Sequence, residues 1–393
     1  MRILFSGCPG YGHIHPMLPL ARAAARAGHD VAVATGPDLA PHLVERGYET
    51  WAVGPTFAES WDERNAALPD LATVPPERHI SLDTVALFGA SAAKRAVDLV
   101  PRAQAWRPDL VVHETVEFAG ALAARRSGAT HVTHGLGVAP PAPMRQVLRS
   151  AMGDVYAWWQ APGLADEVLA APYLDISPRA LHPEGEPAFA NVVPLRAYPG
   201  EVLPIDRLPA ALAARPSADL AYLTLGTIFH SAPGVFEACL AGLRALPLDV
   251  VVTVGRDGDP DRFGPQPPSV VVERYVPQAL LLPRCRLVVS HGGAGTMLGA
   301  YAYGLPQLVV PQAADQFLNA AASEAAGAAI ALQPGTVTPE AVRAAARRLL
   351  DEPGFAAAAR AVRAQIEAAP GVEDVLAALT RSPADPANSG HPA

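Results

Sequence analysis

Cysteine is scarce: Cys8, Cys239 and Cys285 are the only three in 393 residues. An odd number without metal-ligand spacing argues against a disulfide framework or a zinc site, so all three read as packing thiols. Lys and Arg form no run, and a net charge of −8 with pI near 5.8 leaves no basic stripe to release counterions from a nucleic acid. No stretch reaches the roughly 18 consecutive apolar residues of a membrane span. The opening residues MRILFSG run into a Gly-rich turn rather than a signal peptide's long apolar core. These absences predict a cytoplasmic protein that binds neither nucleic acid nor a membrane. A dinucleotide fingerprint is missing too. Glycines fall at 7, 10 and 12 rather than as G-x-G-x-x-G, and the second apolar strand ends in Thr35-Gly36, with no acidic residue to hold a ribose.

What is present is a chain long enough for two domains and, at 50% apolar residues, rich enough for two cores. The most informative stretch is Arg286 to Gln316. Leu287-Val288-Val289 reads as a strand, Ala294 to Tyr303 as a helix and Leu308-Val309-Val310 as a second strand: a β-α-β unit. Gly292, Gly293 and Gly295 lie at the strand-to-helix turn, where backbone N–H groups and a helix N-terminus can approach an anion closely. His291, this turn and the Asp315-Gln316 pair therefore gather beyond the carboxyl ends of parallel strands, where open α/β sheets bind ligands. A phosphate site beside a carboxylate and an amide suggests a nucleotide sugar.

The blocks Tyr275-Val276-Pro277-Gln278, His291-Gly292-Gly293-Ala294-Gly295-Thr296 and Asp315-Gln316, in this order over about forty residues, resemble the donor signature of the family 1 nucleotide-sugar-dependent glycosyltransferases. Within that family the pattern is most similar to bacterial enzymes that glycosylate natural products. The resemblance implies an α/β GT-B fold, two Rossmann-like doubly wound domains facing across a cleft. It places an acceptor domain at residues 1–200, a Pro-rich linker at 201–216, a donor domain at 217–353 and helices at 354–380 that cross back to the first domain. Residues 381–393 lack apolar pattern and read as a disordered tail.

His13, in the loop after the first strand, matches the family's base position, and imidazole has the right pKa to take a proton from an acceptor hydroxyl. Glu114, at the end of the strand beginning near Asp109, matches the carboxylate that orients that base; Glu117 is the rival on register. On the donor side the resemblance implies Gly226 and Thr227 on phosphate, Tyr275 stacked on the nucleobase and Val276 backbone groups at its edge. It puts His291, Gly293, Ala294, Gly295 and Thr296 on the diphosphate, and Asp315 and Gln316 on sugar hydroxyls. Plant relatives carry a glutamate for both ribose hydroxyls where this chain has Gly299, which favours a dTDP-sugar over a UDP-sugar. Acceptor candidates are Phe57, Trp61, Phe88, Met144 and Trp158, in stretches read as long loops with one helix (52 to 90) and as loops and helices (135 to 159). No metal and no cofactor beyond the nucleotide-sugar co-substrate is expected, and the acids at Asp257, Asp259 and Asp261 read as turn chemistry.

The implied reaction is inverting transfer of a sugar from the nucleotide-sugar donor to a hydroxyl of an apolar small-molecule aglycone. Two alternatives stay open, a nucleotide-sugar 2-epimerase of the same fold and a non-catalytic accessory subunit of another transferase. The aglycone, the sugar and the oligomeric state, with a homodimer among the options, are not legible.

Overall fold

A computed structural model of the chain describes residues 1–74, 78–182, 187–202, 206–213, 220–226, 234–256 and 258–381. Thr227, Asp257 and the tail from Ser382 onward lie outside the described residues. The N-terminal half builds a seven-stranded, all-parallel sheet from β1 (Arg2–Ser6), β2 (Asp30–Thr35), β3 (Glu49–Ala52), β4 (Leu110–Glu114), β5 (Thr130–His134), β6 (Pro172–Asp175) and β7 (Asn191–Pro194), in the order β3-β2-β1-β4-β5-β6-β7. The C-terminal half repeats the plan with β8 (Leu220–Thr224), β9 (Asp249–Thr253), β10 (Val270–Glu273), β11 (Cys285–Ser290), β12 (Gln307–Val309) and β13 (Ala329–Ala331), in the order β10-β9-β8-β11-β12-β13. Both orders reverse direction once, between β1 and β4 and between β8 and β11. Such switch points open a crevice at the carboxyl ends of the strands. The α/β architecture expected from the sequence is present, as two doubly wound domains.

The strands read as near-continuous apolar runs because helices cover both faces of each sheet; all five residues of β4 and of β8 are buried. The helices that position the site are α1 (Leu18–Arg26), α2 (Ala90–Trp106), α3 (Phe118–Ser127), α4 (Met144–Trp158), α5 (Ala294–Ala302), α6 (Gln316–Ala325), α7 (Pro353–Ala368) and α8 (Val372–Thr380). Among the described residues, no helix is long and apolar enough to cross a membrane.

Two stretches differ from the sequence expectation. His13, expected in the loop after the first strand, lies on a helical turn: single turns at Tyr11–Ile14 and His15–Met17 precede α1. Residues 52 to 90 are mostly helical rather than mostly loop: Phe57–Ala67, His79–Asp83 and a π-helical stretch Thr84–Gly89 that runs directly into α2. The first of these is set by a capping box. Thr56 Oγ1 accepts from the Glu59 amide at 3.1 Å and the Glu59 carboxylate accepts from the Thr56 amide at 2.9 Å.

The last described helix packs on the first domain. Val372, Val375 and Leu376 of α8 share a buried core with Leu18, Leu20 and Ala21 of α1. The Arg196 amide donates to Pro370 O at 2.8 Å, and the Val372 amide donates to the Tyr198 hydroxyl at 3.3 Å. Burying the apolar face of α8 there makes the two halves interdependent.

Candidate active site

The first half of the site forms at the β1/β4 switch point. Glu114 ends β4 with no exposed surface, while His13 keeps 19% of its side chain exposed, and its Nδ1 lies 3.0 Å from Glu114 Oε1. The carboxylate also accepts from the Val116 amide at 2.7 Å and the Cys8 amide at 3.4 Å. With Nδ1–H directed at Glu114, the basic lone pair of a neutral His13 is on Nε2. Burial works against charge on either partner. On His13 it is outweighed by the negative charge of and hydrogen bond to Glu114, with a smaller contribution from Asp315, so the imidazole pKa is raised. On Glu114 burial is outweighed by His13, the Val116 amide and the Cys8 side chain, and the carboxyl pKa is lowered.

Glu117 has a different partner. The Arg95 side chain on α2, fully buried, directs Nε to Glu117 Oε1 at 3.1 Å, Nη2 to Gly7 O at 2.9 Å and Nη1 to Val53 O at 3.3 Å. Glu117 in turn accepts from the Gly120 amide at the start of α3. One guanidinium therefore ties together α2, the start of α3 and Gly7, the residue after β1, in the segment that leads to His13. This residue was not singled out from sequence; its one signal is a charge inside the otherwise apolar helix phase of α2.

The second half forms at the β8/β11 switch point, across an interdomain cavity of about 270 Å³ whose walls include Tyr11, Gly12, Tyr275, His291 and Thr296. The His291 ring is held between Gly226 and Gly293. A Cβ on either glycine would come within 2.6 Å of the imidazole, and Gly226 adopts a φ of +76°. Burial lowers its pKa to about 4, so it is neutral near pH 7, and among the described residues its Nδ1 has no hydrogen-bond partner. Gly293 is the N-cap of α5 and supplies no side-chain cap, which leaves the first-turn amides of Ala294, Gly295 and Thr296 available to an anion. The Thr296 hydroxyl is occupied, accepting from Gln278 Nε2 at 3.0 Å. The first domain touches this turn: a Cβ on Gly137 would meet Ala294 Cβ at 2.4 Å.

The Asp315-Gln316 pair starts α6. Asp315 Oδ2 accepts from Asn319 Nδ2 at 2.9 Å, and Asn319 also donates to Gly292 O at 2.9 Å, so the carboxylate and the glycine turn are cross-braced. Burial raises the Asp315 pKa, partly opposed by Asn319 and His13. Gln316 is 3% exposed, and its Oε1 accepts from the Gln312 and Ala313 amides at 2.8 and 3.1 Å. That bond shapes a loop in which Ala314 holds a left-handed φ of +55°, a conformation costly for a residue with a Cβ.

Tyr275 is 40% exposed, and the Arg256 guanidinium lies 3.9 Å from its ring centroid. The side chain of Val276 is buried in the core. Arg256 follows β9 and was not anticipated, since nothing in its local pattern separates it from a surface charge. Its charge also lowers the pKa of His15 and His42 across the cleft, behind the larger effect of burial. Among the described residues of the acidic turn, Asp259 Oδ1 accepts from the Asp261 amide at 3.1 Å and caps a short helix.

The acceptor candidates do not all gather. Phe88 packs beside His13, with ring centroids 5.4 Å apart. Phe57 and Trp61 stack on each other at 5.5 Å, and Ser81 donates to the Met144 sulfur at 3.7 Å. Trp158 does not belong with them. It is 78% exposed at the far end of α4 from Met144, about 20 Å along the helix axis, because the phase of α4 turns Leu148, Met152 and Val155 inward instead.

Two doubly wound domains, with a carboxylate-held histidine at one switch point and an uncapped helix N-terminus at the other, define a glycosyltransferase of the GT-B class. The comparisons give its family. Residues 22–155 and 237–381 match the N- and C-terminal domains described as erythromycin biosynthesis protein CIII-like. An L-demethylnoviosyl transferase of Streptomyces niveus is 34% identical over 347 residues, 86% of each chain. The elloramycin glycosyltransferase ElmGT of Streptomyces olivaceus is 31% identical over 96% of this chain and 97% of its own. Among solved structures, the spinosyn rhamnosyltransferase SpnG superposes with a TM-score of 0.80 at 26% identity, covering 97% of this chain and 100% of SpnG. VinC, in complex with dTDP, gives 0.75 at 27%, covering 96% and 98%. The chain belongs to the EryCIII-like family of antibiotic glycosyltransferases.

Proposed function

We propose that this enzyme transfers a sugar from a dTDP-sugar to a hydroxyl of an apolar small-molecule natural product, with inversion at the anomeric carbon and without a metal or further cofactor. The observation that carries the reading is the pairing of His13 with buried Glu114 directly beside Tyr11 and Gly12, which line the same cavity as the amide-bearing start of α5. The nucleobase stacks on Tyr275, which Arg256 braces, and the diphosphate meets the amides of Ala294, Gly295 and Thr296 and the neutral ring of His291. Asp315 takes sugar hydroxyls, and Gln316 acts by shaping the loop that presents them. His13 Nε2 removes the acceptor proton as the acceptor oxygen attacks the anomeric carbon from the face opposite the diphosphate. The anomeric carbon–oxygen bond to the diphosphate breaks with its electron pair, and the charge that develops faces fixed N–H donors.

The dTDP preference is supported by Gly299, which offers no carboxylate to a ribose 2′-hydroxyl; a Cβ there would be close to Leu282 Cδ1, at 3.3 Å, and in ordinary contact with Gln278 Oε1 and Pro199 Cα, each at 3.7 Å. VinC and SpnG have both been solved with thymidine diphosphate, which supports the same choice.

The pH dependence tests the dyad. His13 is an active base only when neutral, and its pKa is raised above the ordinary value of about 6.5. Accordingly kcat/KM rises with pH through an apparent pKa on the alkaline side of that value. Glu114→Gln removes the negative charge and leaves burial, which acts in the opposite direction, so the limb moves to lower pH while kcat falls. A limb that stays in place in Glu114→Gln assigns the titration to another group.

A further inference from the structure

The loop after β1 carries one side chain that this reaction does not use. Cys8 is 5% exposed; its Sγ makes a long contact to Val116 O at 4.0 Å and a side-chain hydrogen bond with Glu114. The sulfur nevertheless belongs to a compact group: Cys8 Sγ, a ring nitrogen of His13 and a carboxylate oxygen of Glu114 all lie within 4.8 Å of one another. Thiolate, imidazole and carboxylate are the ligand types of tetrahedral zinc, and bond lengths of about 2.0–2.3 Å place such ligand atoms about 3.3–3.5 Å apart. His13 Nδ1 and Glu114 Oε1 are 3.0 Å apart, so two of the three ligand atoms already stand at about that spacing, and Cys8 Sγ lies within 4.8 Å of a ligand atom of each. The fourth coordination position then belongs to water or an acceptor oxygen from the cleft.

We propose that Cys8, His13 and Glu114 form a site for a thiophilic divalent cation, zinc above all, that reversibly switches the enzyme off. The charges balance, because one thiolate and one carboxylate neutralise a dication. On binding, the Cys8 thiol loses its proton to solvent, as a metal-coordinated thiol does. The metal takes the Nδ1 position of His13, the imidazole proton moves to Nε2, and the ring no longer has a lone pair for the acceptor hydroxyl. The thiol pKa lies well above its ordinary value, through burial first and the charge of Glu114 second, so without a metal Cys8 is neutral and silent. Hard cations lack affinity for sulfur and do not compete.

The test uses the full-length protein stripped with EDTA. Zn²⁺ is expected to abolish activity, EDTA to restore it, and Mg²⁺ to do neither. Co²⁺ added without substrates is expected to give a thiolate-to-metal charge-transfer band that is absent from Cys8→Ala and from the near-isosteric Cys8→Ser. In both variants, each measured against its own metal-free rate, the Zn²⁺ concentration for half inhibition rises at least tenfold. A missing band, or unchanged zinc sensitivity in both variants, overturns the site. Because the cobalt spectrum needs neither donor nor acceptor, it stands or falls separately from the transferase reading.

Discussion

Replacing His13 by alanine is expected to lower kcat by about 10² to 10⁴, the usual share of a positioned general base, while dTDP affinity changes little. The split follows from the geometry. His13 is fixed from the first domain by Glu114, whereas the amides, His291 and Tyr275 proposed to hold the nucleotide all belong to the second. A fall in kcat with intact dTDP binding, measured by steady-state kinetics and titration on the same preparation, is therefore the signature of the base. Equal loss of both would make His13 a donor-binding residue, and unchanged turnover would remove it from the chemistry. Asp315 bears on His13 through its charge, so some change in KM for the sugar donor is compatible with the account; a change in affinity for dTDP itself is not.

The second large effect falls on stability. Arg95 and Glu117 form an ion pair with no exposed surface on either side chain, and the guanidinium has two further carbonyl partners. Truncating Arg95 strands a buried carboxylate, and removing one member of such a pair costs about 3–5 kcal/mol. Arg95→Met is expected to lose that amount in denaturant unfolding and to shed activity with it, since Gly7 O anchors the His13 loop. The double variant Arg95→Met, Glu117→Gln leaves no buried charge and should recover part of the loss. A single variant within about 0.5 kcal/mol of wild type would mean that water reaches the pair.

The β-α-β unit around His291 is legible because glycines, the helix and both strands are contiguous, so local chemistry sets the backbone. The same holds for the parallel sheets, whose strands announce themselves as short apolar runs. The competition between Glu114 and Glu117 could not be resolved locally. What separates them is Arg95, about twenty residues upstream on another element, whose burial beside Glu117 leaves Glu114 as the carboxylate facing His13. Arg256 escaped notice because a cation–π contact with Tyr275 depends on two strand ends meeting, which no spacing encodes. Gln316 was expected to contact sugar hydroxyls; its carbonyl oxygen instead accepts from the Gln312 and Ala313 amides, a loop-shaping duty that a motif cannot reveal. Trp158 illustrates the opposite error, an aromatic residue credited with a site when helix phase sends it to solvent. The region from 52 to 90 was obscured because its helices are short and weakly amphipathic, and the Thr56-Glu59 capping box was the one local sign of order.

The central claim is that the cleft between the domains takes a thymidine nucleotide. Thermal unfolding of the purified protein with dTDP, UDP and NAD in parallel tests it most directly, since a ligand at about 100 times its Kd adds about 2.7 kcal/mol to the folded state. The account predicts a clear upward shift with dTDP, a smaller one with UDP and none with NAD. A shift with UDP equal to or larger than that with dTDP would contradict the donor assignment built on Gly299, and a shift with NAD alone would contradict the nucleotide-sugar site altogether.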